Sequence, residues 1–583
     1  MSLPSAQFWR TPPNVRRRYA ESGAGQIHYR IAVPEQTARV PLLCIHLTPN
    51  SGRVYARFIA EMGRDRLAIA PDTPGFGGSS TPAEPPSIAA LASLLGAFLD
   101  GLAAAHDLRR IDVMGYHTGS KIALELARQR PQQVRRVVLV SAPVYTASEL
   151  DAQRATLAAA GGEVPLRDGS HLRERWRGHW QFKDPLADAW FVQREVAEGL
   201  RVADSAWRTY RAAFEVQHAE VLPQVAQPVL LLCPDDDLAT PTRRAAALLR
   251  NGRFLPLPGW AHGFLDVHTG EAAMLVREFL DGPADDTQAV NTIAKPAPPA
   301  ALTPLAGTAA RGAYHDGPSG LLHFRHAGRA GGDRPPLYLL HMSPNSNRIF
   351  EALQRAMASD REVVAVDTPG FGESEPTDAA PSIETYAAAV GDLARARGHT
   401  QIDVLGYHTG AMTAIALAVA QPQRVRRVVQ ISSPVFTAAE LASFRAEYGE
   451  REPREDGGHL VDAWLNMQRF YNPDVPLAVL ARNFAEGLRG GPFAHWGHKA
   501  AFDYDLAAAL PRVTQPVLVV NPEDDLAVQT PRGFALLRTA QWLDLPGRAH
   551  GFLDTHTAEF ATRLRAFLDV SPFEPPHPHN RRS

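Results

Sequence analysis

The feature of this sequence that most constrains its fold is an internal duplication, in which a set of motifs occurs twice in the same order. The motif around His46 recurs around His341, and the DTPGFG motif of Asp72 recurs at Asp367; both pairs lie 295 residues apart (341 − 46 and 367 − 72). Later motif pairs lie 291 and then 288 residues apart, as expected if the second copy has short deletions between its motifs relative to the first. Repeats of this length are typical of a duplicated domain and not of a short-period solenoid.

The length of the chain agrees with two domains, because 583 residues exceed what one ordinary hydrophobic core can hold. We predict a first domain at 1–281 and a second at 312–583. The segment between them, 282–311, is rich in Ala, Pro and Thr and has no apolar period, so we expect a mobile or semi-extended linker. Two such domains on one chain can also pack as an internal pseudo-dimer.

Within each copy, strand-like and helix-like segments alternate. Short apolar runs such as RLAIAPD and PVLLLCP are rich in β-forming residues and bounded by Gly, Pro or Asp, while stretches such as SKIALELARQR suit helices. The apolar runs are continuous rather than alternating, which favours a parallel sheet covered by helices on both faces. In such a sheet the reactive groups belong in the loops at the carboxyl ends of the strands, where every shared motif falls.

Charge and cysteine content exclude several classes of protein. Sixty basic and 62 acidic residues leave a formal charge of −2, which points to neither nucleic acid nor an anionic membrane as a partner. The two cysteines, Cys44 and Cys233, lie in apolar runs, so we predict buried thiols rather than a disulfide framework. No targeting segment and no run of membrane-spanning length is evident, and we expect a cytoplasmic protein that acts on a small molecule.

Five motifs, found in order in both halves, resemble those of the α/β-hydrolase fold family. They are an early turn (HLTP, HMSP), the DTPGFG loop, a GYHTG elbow, an acidic loop (CPDDDLATP, NPEDDLAVQTP) and an AHGF loop. The resemblance covers essentially the whole of each half. It implies two tandem α/β-hydrolase domains, each with a mostly parallel central sheet, helices on both faces and a helical cap insertion, at about 145–220 and 436–510.

Three of the motifs carry the catalytic roles of that family. The acid accepts a hydrogen bond from Nδ1 of the histidine and stabilises its imidazolium. Backbone N–H groups after the elbow and in the early turn form the oxyanion hole. The neighbouring acids Asp236 and Asp524 are expected only to form the turn. The resemblance assigns these roles to Asp237 and His262 with Thr48 and Thr118 in the first half, and to Asp525 and His550 with Ser343 and Thr409 in the second.

The elbow departs from the family, because His117 and His408 stand where the nucleophile would be. Neither an acyl-serine nor an alkyl-aspartate intermediate is then available. Ser120 is no substitute, since the second half has Ala411 at that position. We therefore expect acid–base catalysis, in which the histidine of the AHGF loop, His262 or His550, deprotonates water. The elbow histidine would donate a hydrogen bond to the developing negative charge or protonate the leaving group.

Two other roles are open to the elbow histidine. An acyl-imidazole intermediate is chemically feasible, but histidine is rare among elbow nucleophiles. A metal site is suggested by two histidines and a carboxylate, yet an Asp237 engaged with His262 leaves only two nitrogen ligands. The sequence prediction is therefore of no metal and no cofactor.

The predicted caps share a DGxHL stretch followed by a tryptophan. In one interpretation the aspartate caps the next helix and the tryptophan packs beneath it. In the other, the histidine faces the pocket and binds a polar end of the substrate within an aromatic lining. The predicted substrate-binding residues are His171, Trp176 and Phe76 in the first half and His459, Trp464 and Phe371 in the second.

The function favoured by these patterns is hydrolysis of an ester, lactone or C–C bond in a small, partly aromatic or carbonyl substrate, without a serine nucleophile. Two alternatives stay open: a cofactor-free lyase or oxygenase, and a ligand-binding pseudoenzyme. Retention of ionisable groups in both halves, on a turn that is costly to keep, favours an enzyme with an atypical His, Asp, His set.

Overall fold

The chain forms two compact units, Met1–Val164 with Glu174–Ala306, and Pro165–Arg173 with Gly307–Ser583. Residues 284–309, most of the predicted linker, lie outside the described residues, and the linker stays a prediction. The computed structural model describes residues 8–23, 25–36, 39–160, 164–283 and 310–569.

The first unit contains an eight-stranded sheet in the order β1-β2-β4-β3-β5-β6-β7-β8. Pairings of β1 with β2 and of β2 with β4 are antiparallel, and the others are parallel. The strands are β1 (Val15–Ser22), β2 (Gly25–Ala32), β3 (Leu42–Ile45), β4 (Ala68–Pro71), β5 (Ile111–Tyr116), β6 (Val134–Val140), β7 (Val229–Pro234) and β8 (Gly252–Leu257). The helices are α1 (Ala56–Met62), α2 (Ile88–Leu102), α3 (Thr118–Gln129), α4 (Ala147–Ala160), α5 (Ser170–Phe182), α6 (Ala189–Arg201), α7 (Ala203–Glu215), α8 (His218–Val221), α9 (Ala239–Ala245), α10 (Phe264–Val267) and α11 (Thr269–Asp281).

The second unit repeats this topology in the order β16-β15-β14-β13-β11-β12-β10-β9. Its strands are β9 (Arg311–Gly317), β10 (Gly320–Ala327), β11 (Leu337–Leu340), β12 (Val363–Val366), β13 (Ile402–Tyr407), β14 (Val425–Ile431), β15 (Val517–Pro522) and β16 (Ala540–Leu545). Its helices are α12 (Glu351–Met357), α13 (Ile383–Ala396), α14 (Thr409–Ala420), α15 (Ala438–Glu447), α16 (Gly458–Gln468), α17 (Leu477–Leu488), α18 (Trp496–Asp503), α19 (Leu506–Ala509), α20 (Thr530–Phe534), α21 (Phe552–Thr555) and α22 (Thr557–Asp569).

Each sheet is buried on both faces, which explains its continuous apolar strands. In β5, Ile111 and Val113 belong to a hydrophobic cluster with α2 and α3, whereas Met114 and Tyr116 belong to a second cluster with α1 and α11. The corresponding strand β13 divides its side chains in the same way. Each fully buried aliphatic or aromatic side chain stabilises the folded state by about 1.5–3 kcal/mol relative to an exposed one. The predicted fold class, two α/β domains with mostly parallel sheets, is confirmed.

The helices α4 to α8 lie between β6 and β7, and α15 to α19 lie between β14 and β15. These are the segments in which the sequence predicts the caps. One part departs from that picture, because Pro165–Arg173 groups with the second unit and not with the rest of the first cap.

Both cysteines, Cys44 and Cys233, are buried free thiols, as predicted. Among the helices of the described ranges, none combines the length and the apolar character that crossing a membrane requires.

Candidate active site

The elbow histidine of the first half lies alone between a strand and a helix. His117 follows β5, precedes α3, and has φ 48° and ψ −112°. A positive φ is unfavourable for a residue with a side chain and is retained mainly at functional turns. The flanking residues must be glycine, because a Cβ on Gly115 would overlap the Gly119 carbonyl, and a Cβ on Gly119 would overlap the Ile45 carbonyl. His408 repeats the conformation with φ 49° and ψ −114°.

Asp236 belongs to the site, although the sequence predicts it only as a turn residue. It is fully buried in the loop after β7, and its Oδ2 lies 3.1 Å from Nε2 of His117. The same oxygen accepts a hydrogen bond from Oγ of Ser141 at 2.5 Å. The other oxygen does form the turn, because Oδ1 accepts the N–H of Leu238 at 2.9 Å. One carboxylate thus serves both the turn and the site.

The pair Asp237 and His262 comes together with an imidazole orientation that differs from the predicted one. Oδ1 of Asp237 lies 2.8 Å from Nε2 of His262, whereas the family pattern predicts the contact at Nδ1. Nδ1 faces the hydroxyl of Tyr116 at 3.2 Å instead. The hydroxyl of the residue just before the elbow occupies the Nδ1 side of the ring, so Nε2 turns toward the acids and the elbow.

The loop that carries His262 is held by backbone contacts to the cap. His262 forms an isolated parallel bridge with Lys183, just after α5. Its N–H donates to the carbonyl of Phe182 at 3.0 Å, and its carbonyl accepts the N–H of Asp184 at 2.7 Å. In the second half, His550 forms the corresponding bridge with Tyr471. These contacts tie the backbone of each histidine to the predicted cap segment of its own half.

The second half reproduces the same four-residue centre. Nε2 of His408 lies 3.1 Å from Oδ2 of Asp524, and Nε2 of His550 lies 2.9 Å from Oδ1 of Asp525. Nδ1 of His550 again faces a hydroxyl, that of Tyr407, at 2.9 Å. The two imidazole rings are 5.1 Å apart between centroids, compared with 5.2 Å for His117 and His262 in the first half. The arrangement is thus a property of both copies.

The carboxylates of the centre are kept ionised. Burial works against charge on Asp237, but the hydrogen bond with His262 and the proximity of His117 hold the pKa of this carboxyl well below its usual range. Burial also works against a charged His262, yet the hydrogen bond with Asp237 outweighs it and raises the pKa of the imidazole. Burial raises the pKa of the Tyr116 phenol well above its usual value, and the nearby Asp236 raises it further. This hydroxyl therefore stays protonated at neutral pH.

The residues predicted to form the oxyanion hole lie at the ends of elements beside the elbow. Thr118 and Thr409 are the first residues of α3 and α14, where backbone N–H groups have no partner within the helix. Thr48 and Ser343 are buried in the turns after β3 and β11. Their role in binding an oxyanion stays a prediction.

The cap histidines hold turns of their own. Nδ1 of His171 accepts the N–H of Leu166 at 3.2 Å, and Nδ1 of His459 accepts the N–H of Arg454 at 3.1 Å. The ring of His171 lies 5.3 Å from that of Trp464, within the second unit. This position differs from the predicted one facing the first pocket, because the segment that carries His171 packs on another cap helix.

The predicted aromatic lining residues are core residues in the structure. Trp176 is fully buried and stacks on Trp180 at 5.9 Å, and Nε1 of Trp464 donates to the carbonyls of Leu166 and Arg167 at 3.0 and 3.1 Å. Phe76 and Phe371 are also buried, edge-on to His46 and His341 at 5.5 and 5.8 Å. These contacts support the interpretation of packing beneath the caps and early turns.

Each site has a further, partly buried histidine nearby, in the predicted cap segment, that the sequence did not reveal. Burial, and then the charge of Arg175, lowers the pKa of His179 to about 3. The nearby His262 lowers this pKa as well. Burial, and then the neighbouring His408, lowers the pKa of His498 to about 4. These two histidines come from α5 and α18, which are not equivalent helices. Comparison of the duplicated motifs alone therefore could not find them.

Comparison with known proteins gives the same picture for both halves. A family model described as alpha/beta hydrolase fold matches residues 40–275 and 335–530, which is more than half of the chain. The pimeloyl-[acyl-carrier protein] methyl ester esterase of Neisseria meningitidis serogroup C is 26% identical over 255 residues, covering 40% of this chain and 93% of the relative. The non-heme chloroperoxidase of Streptomyces lividans is 28% identical over 227 residues, covering 35% and 81%. The 2-(acetamidomethylene)succinate hydrolase of Mesorhizobium japonicum is 27% identical over 228 residues, covering 37% and 80%.

Proposed function

We propose that this chain, which belongs to the α/β-hydrolase fold family, is a hydrolase that uses directly activated water in place of a serine nucleophile. Its substrate is a small, partly aromatic or carbonyl compound, and the bond that it cleaves is an ester, lactone or C–C bond. Each half would carry one active centre, with His117, Asp237 and His262 in the first half. The observation that carries the proposal is the convergence of two imidazoles and two carboxylates at the elbow, in both copies.

The hydroxyl nearest the elbow supports a mechanism without a serine adduct. Oγ of Ser120 lies 2.8 Å from Nε2 of His218 and also donates to the carbonyl of His117. Ser120 is fully buried in α3, and Ala411 takes its place in the second half. This hydroxyl has partners away from the acids, so it is a poor candidate for a nucleophile shared by both halves.

The chemistry requires one proton transfer to the centre and one from it. A basic group of the centre takes a proton from water, and the water oxygen bonds to the substrate carbonyl carbon. Backbone N–H groups at the start of α3 would stabilise the negative charge that develops on the carbonyl oxygen. The bond to the leaving group then breaks, and the leaving atom receives the proton. Overall, one water molecule is consumed for each bond cleaved.

The names of two relatives fit hydrolysis of a carbonyl compound. They are the pimeloyl-[acyl-carrier protein] methyl ester esterase and the 2-(acetamidomethylene)succinate hydrolase. Two partly buried tyrosines of the first half, Tyr145 and Tyr210, lie near Asp237. Burial raises the pKa of the Tyr145 phenol well above its usual value, and Asp237 raises it further. Burial is also the main cause that raises the pKa of the Tyr210 phenol, to about 12. The aromatic rings near the centre suit a partly aromatic substrate.

Replacing both elbow histidines tests this function. We expect His117→Ala/His408→Ala to lower kcat/KM about 100-fold on the best substrate of an aryl ester and lactone panel, because each change removes one acid–base group. His117→Ser/His408→Ser should not restore activity, since both ring nitrogens of His262 already face Asp237 and Tyr116. Steady-state kinetics on the panel measures both effects.

The matched control is Ser120→Ala, which removes the nearby hydroxyl and copies the residue found in the second half. It should retain wild-type turnover, and neither protein should be labelled by a fluorophosphonate. Labelling that disappears in Ser120→Ala, or full activity in the alanine double variant, would refute the mechanism. An inert wild type combined with tight substrate-analogue binding would favour the pseudoenzyme.

A further inference from the structure

We propose that the centre of each half is a binding site for a divalent first-row transition-metal ion. The ligands in the first half are Nε2 of His117 and His262 and one carboxylate oxygen from each of Asp236 and Asp237. Those in the second half are the same atoms of His408, His550, Asp524 and Asp525. All four ligand atoms of each set lie within 4.8 Å of one another.

Several of the distances between these atoms are close to those between neighbouring ligands of one cation. An ion with bonds of about 2.1 Å separates neighbouring ligand atoms by about 3.0 Å in octahedral and about 3.4 Å in tetrahedral geometry. The histidine-to-acid separations are 3.1 and 2.8 Å in the first half. In the second half they are 3.1, 2.9 and, between His408 and Asp525, 3.9 Å. The atoms of each set are thus close enough together to surround one ion after side-chain movement.

The orientation of the rings is the second argument. A histidine that serves a serine nucleophile presents Nδ1 to its acid and Nε2 to the hydroxyl. Here Nε2 of both His117 and His262 faces the carboxylates, so all the strong donor atoms point to one centre. Two imidazoles with carboxylates suit Zn²⁺, Fe²⁺ or similar ions better than Mg²⁺ or Ca²⁺, which prefer oxygen ligands.

The groups behind the ligands form the third argument. Metal-binding histidines usually engage their second ring nitrogen in a hydrogen bond, and ligating carboxylates are themselves hydrogen-bonded. The hydroxyl of Tyr116 lies 3.2 Å from Nδ1 of His262, and Ser141 donates to Asp236. Tyr407 and Ser432 repeat these contacts. A shared ion would give the buried carboxylate of Asp236 a role beyond its turn and its contact with His117.

The metal would supply the activated water, and this consequence rests on the function proposed above. Four protein ligands leave one or two positions open on a five- or six-coordinate ion. Water bound there loses a proton more readily, and its oxygen bonds to the carbonyl carbon as the leaving-group bond breaks. The proton passes to the leaving atom, so the reaction balances as hydrolysis and requires no oxidant or reductant. Metal binding itself does not depend on that reaction.

Cobalt titration of the chelator-stripped full chain tests the site without any substrate. We expect Co²⁺ to bind at one ion per half, with visible d–d bands that report nitrogen and oxygen coordination, and Zn²⁺ to displace it. Metal analysis after equilibrium dialysis gives the stoichiometry. Mg²⁺ in excess should not compete, because the site contains two imidazoles.

Variants place the ion at the centre. His117→Ala should bind one ion per chain instead of two, and His117→Ala/His408→Ala should bind none. Asp237→Asn/Asp525→Asn changes partly exposed ligands with little change of shape, and it should also lose metal binding. Tyr116→Phe/Tyr407→Phe should weaken Co²⁺ binding about tenfold through loss of the contact to Nδ1. The matched control is Asp235→Asn/Glu523→Gln, which alters the exposed acids beside the ligands and should leave both ions in place. Circular dichroism of each variant verifies that it is folded.

The outcomes separate this site from the proposed function. Two ions per chain that disappear with the ligand variants support the site, even if no substrate of the panel is hydrolysed. An active chain that contains no metal, gains no d–d bands and ignores chelators would overturn the site and leave hydrolysis standing. Binding that survives in both His117→Ala/His408→Ala and Asp237→Asn/Asp525→Asn would overturn it as well.

Discussion

Replacing both His262 and His550 by alanine is expected to lower kcat by about 10³-fold, at the upper part of the range for loss of an acid–base group. Each of these imidazoles contacts the acid through Nε2 and a tyrosine hydroxyl through Nδ1, so it links the elbow, the acid loop and the strand before the elbow. Its removal takes away a polar group of the centre and also leaves Asp237 or Asp525 without its closest partner. The loss should therefore exceed that of the elbow variants.

The single variants His262→Ala and His550→Ala measure how much of the turnover each half contributes. If both halves are active on one substrate, His262→Ala and His550→Ala should each remove about their own share of turnover, and only the double variant should abolish it. If one half is structural, one single variant should cost the full factor. His106→Ala, at a partly buried position away from the centre, is the control. Wild-type kcat in the double variant would exclude any catalytic role for these histidines.

The sequence could predict the fold because the duplicated motifs and the continuous apolar strands both report on burial. A strand such as β5 reads as apolar throughout because its two faces pack on different helix layers. The glycines around the elbow were equally informative, since neighbouring carbonyls leave no room for a Cβ. These are local constraints, and local sequence is sufficient to express them.

The remainder of the site depends on contacts between distant segments. The role of Asp236 depends on Ser141, which directly follows the neighbouring strand β6 and lies 95 residues away in sequence. The orientation of His262 depends on Tyr116, which looks like one more strand residue in the motif. The cap histidine His171 resembles a pocket residue, yet its segment packs on Trp464 in the second unit. Side-chain partners of this kind are not visible in motif spacing.

Asp72, the acid of the DTPGFG loop, is expected to be among the most important residues for stability. Its buried carboxylate lies 2.7 Å from Nδ1 of His28 and accepts hydrogen bonds from Arg30 and from the N–H groups of Gly52 and Gly78. Asp72→Ala removes the acceptor of all these groups at once. We expect a loss of about 3–5 kcal/mol in the free energy of unfolding, as for one partner of a buried ion pair. Urea unfolding of the full chain, followed by circular dichroism, measures it.

The equivalent Asp367 provides an internal comparison. It contacts His323 and the N–H groups of Asn347 and Glu373, but Arg325 pairs with Glu351 instead. Within the part of the chain that the structure describes, no guanidinium pairs with Asp367, so Asp367→Ala should cost less, about 1–3 kcal/mol of unfolding free energy. Equal losses in the two variants would show that the ion pair with Arg30 contributes nothing beyond the hydrogen bonds.

The same carboxylate gives the first half a defined sensitivity to acid. Burial opposes ionisation of Asp72, but His28 and Arg30 outweigh it and hold its pKa well below the unfolded value of about 3.9. Because the folded pKa is depressed, the stabilisation is complete above about pH 4 and is lost as the pH falls toward the folded value. The difference in unfolding free energy between the wild type and Asp72→Asn should therefore shrink as the pH is lowered from about 5 to about 3. A difference that stays constant over this range would mean that the native carboxylate gains nothing from its charge, and that Asp72 acts only as a neutral hydrogen-bond acceptor.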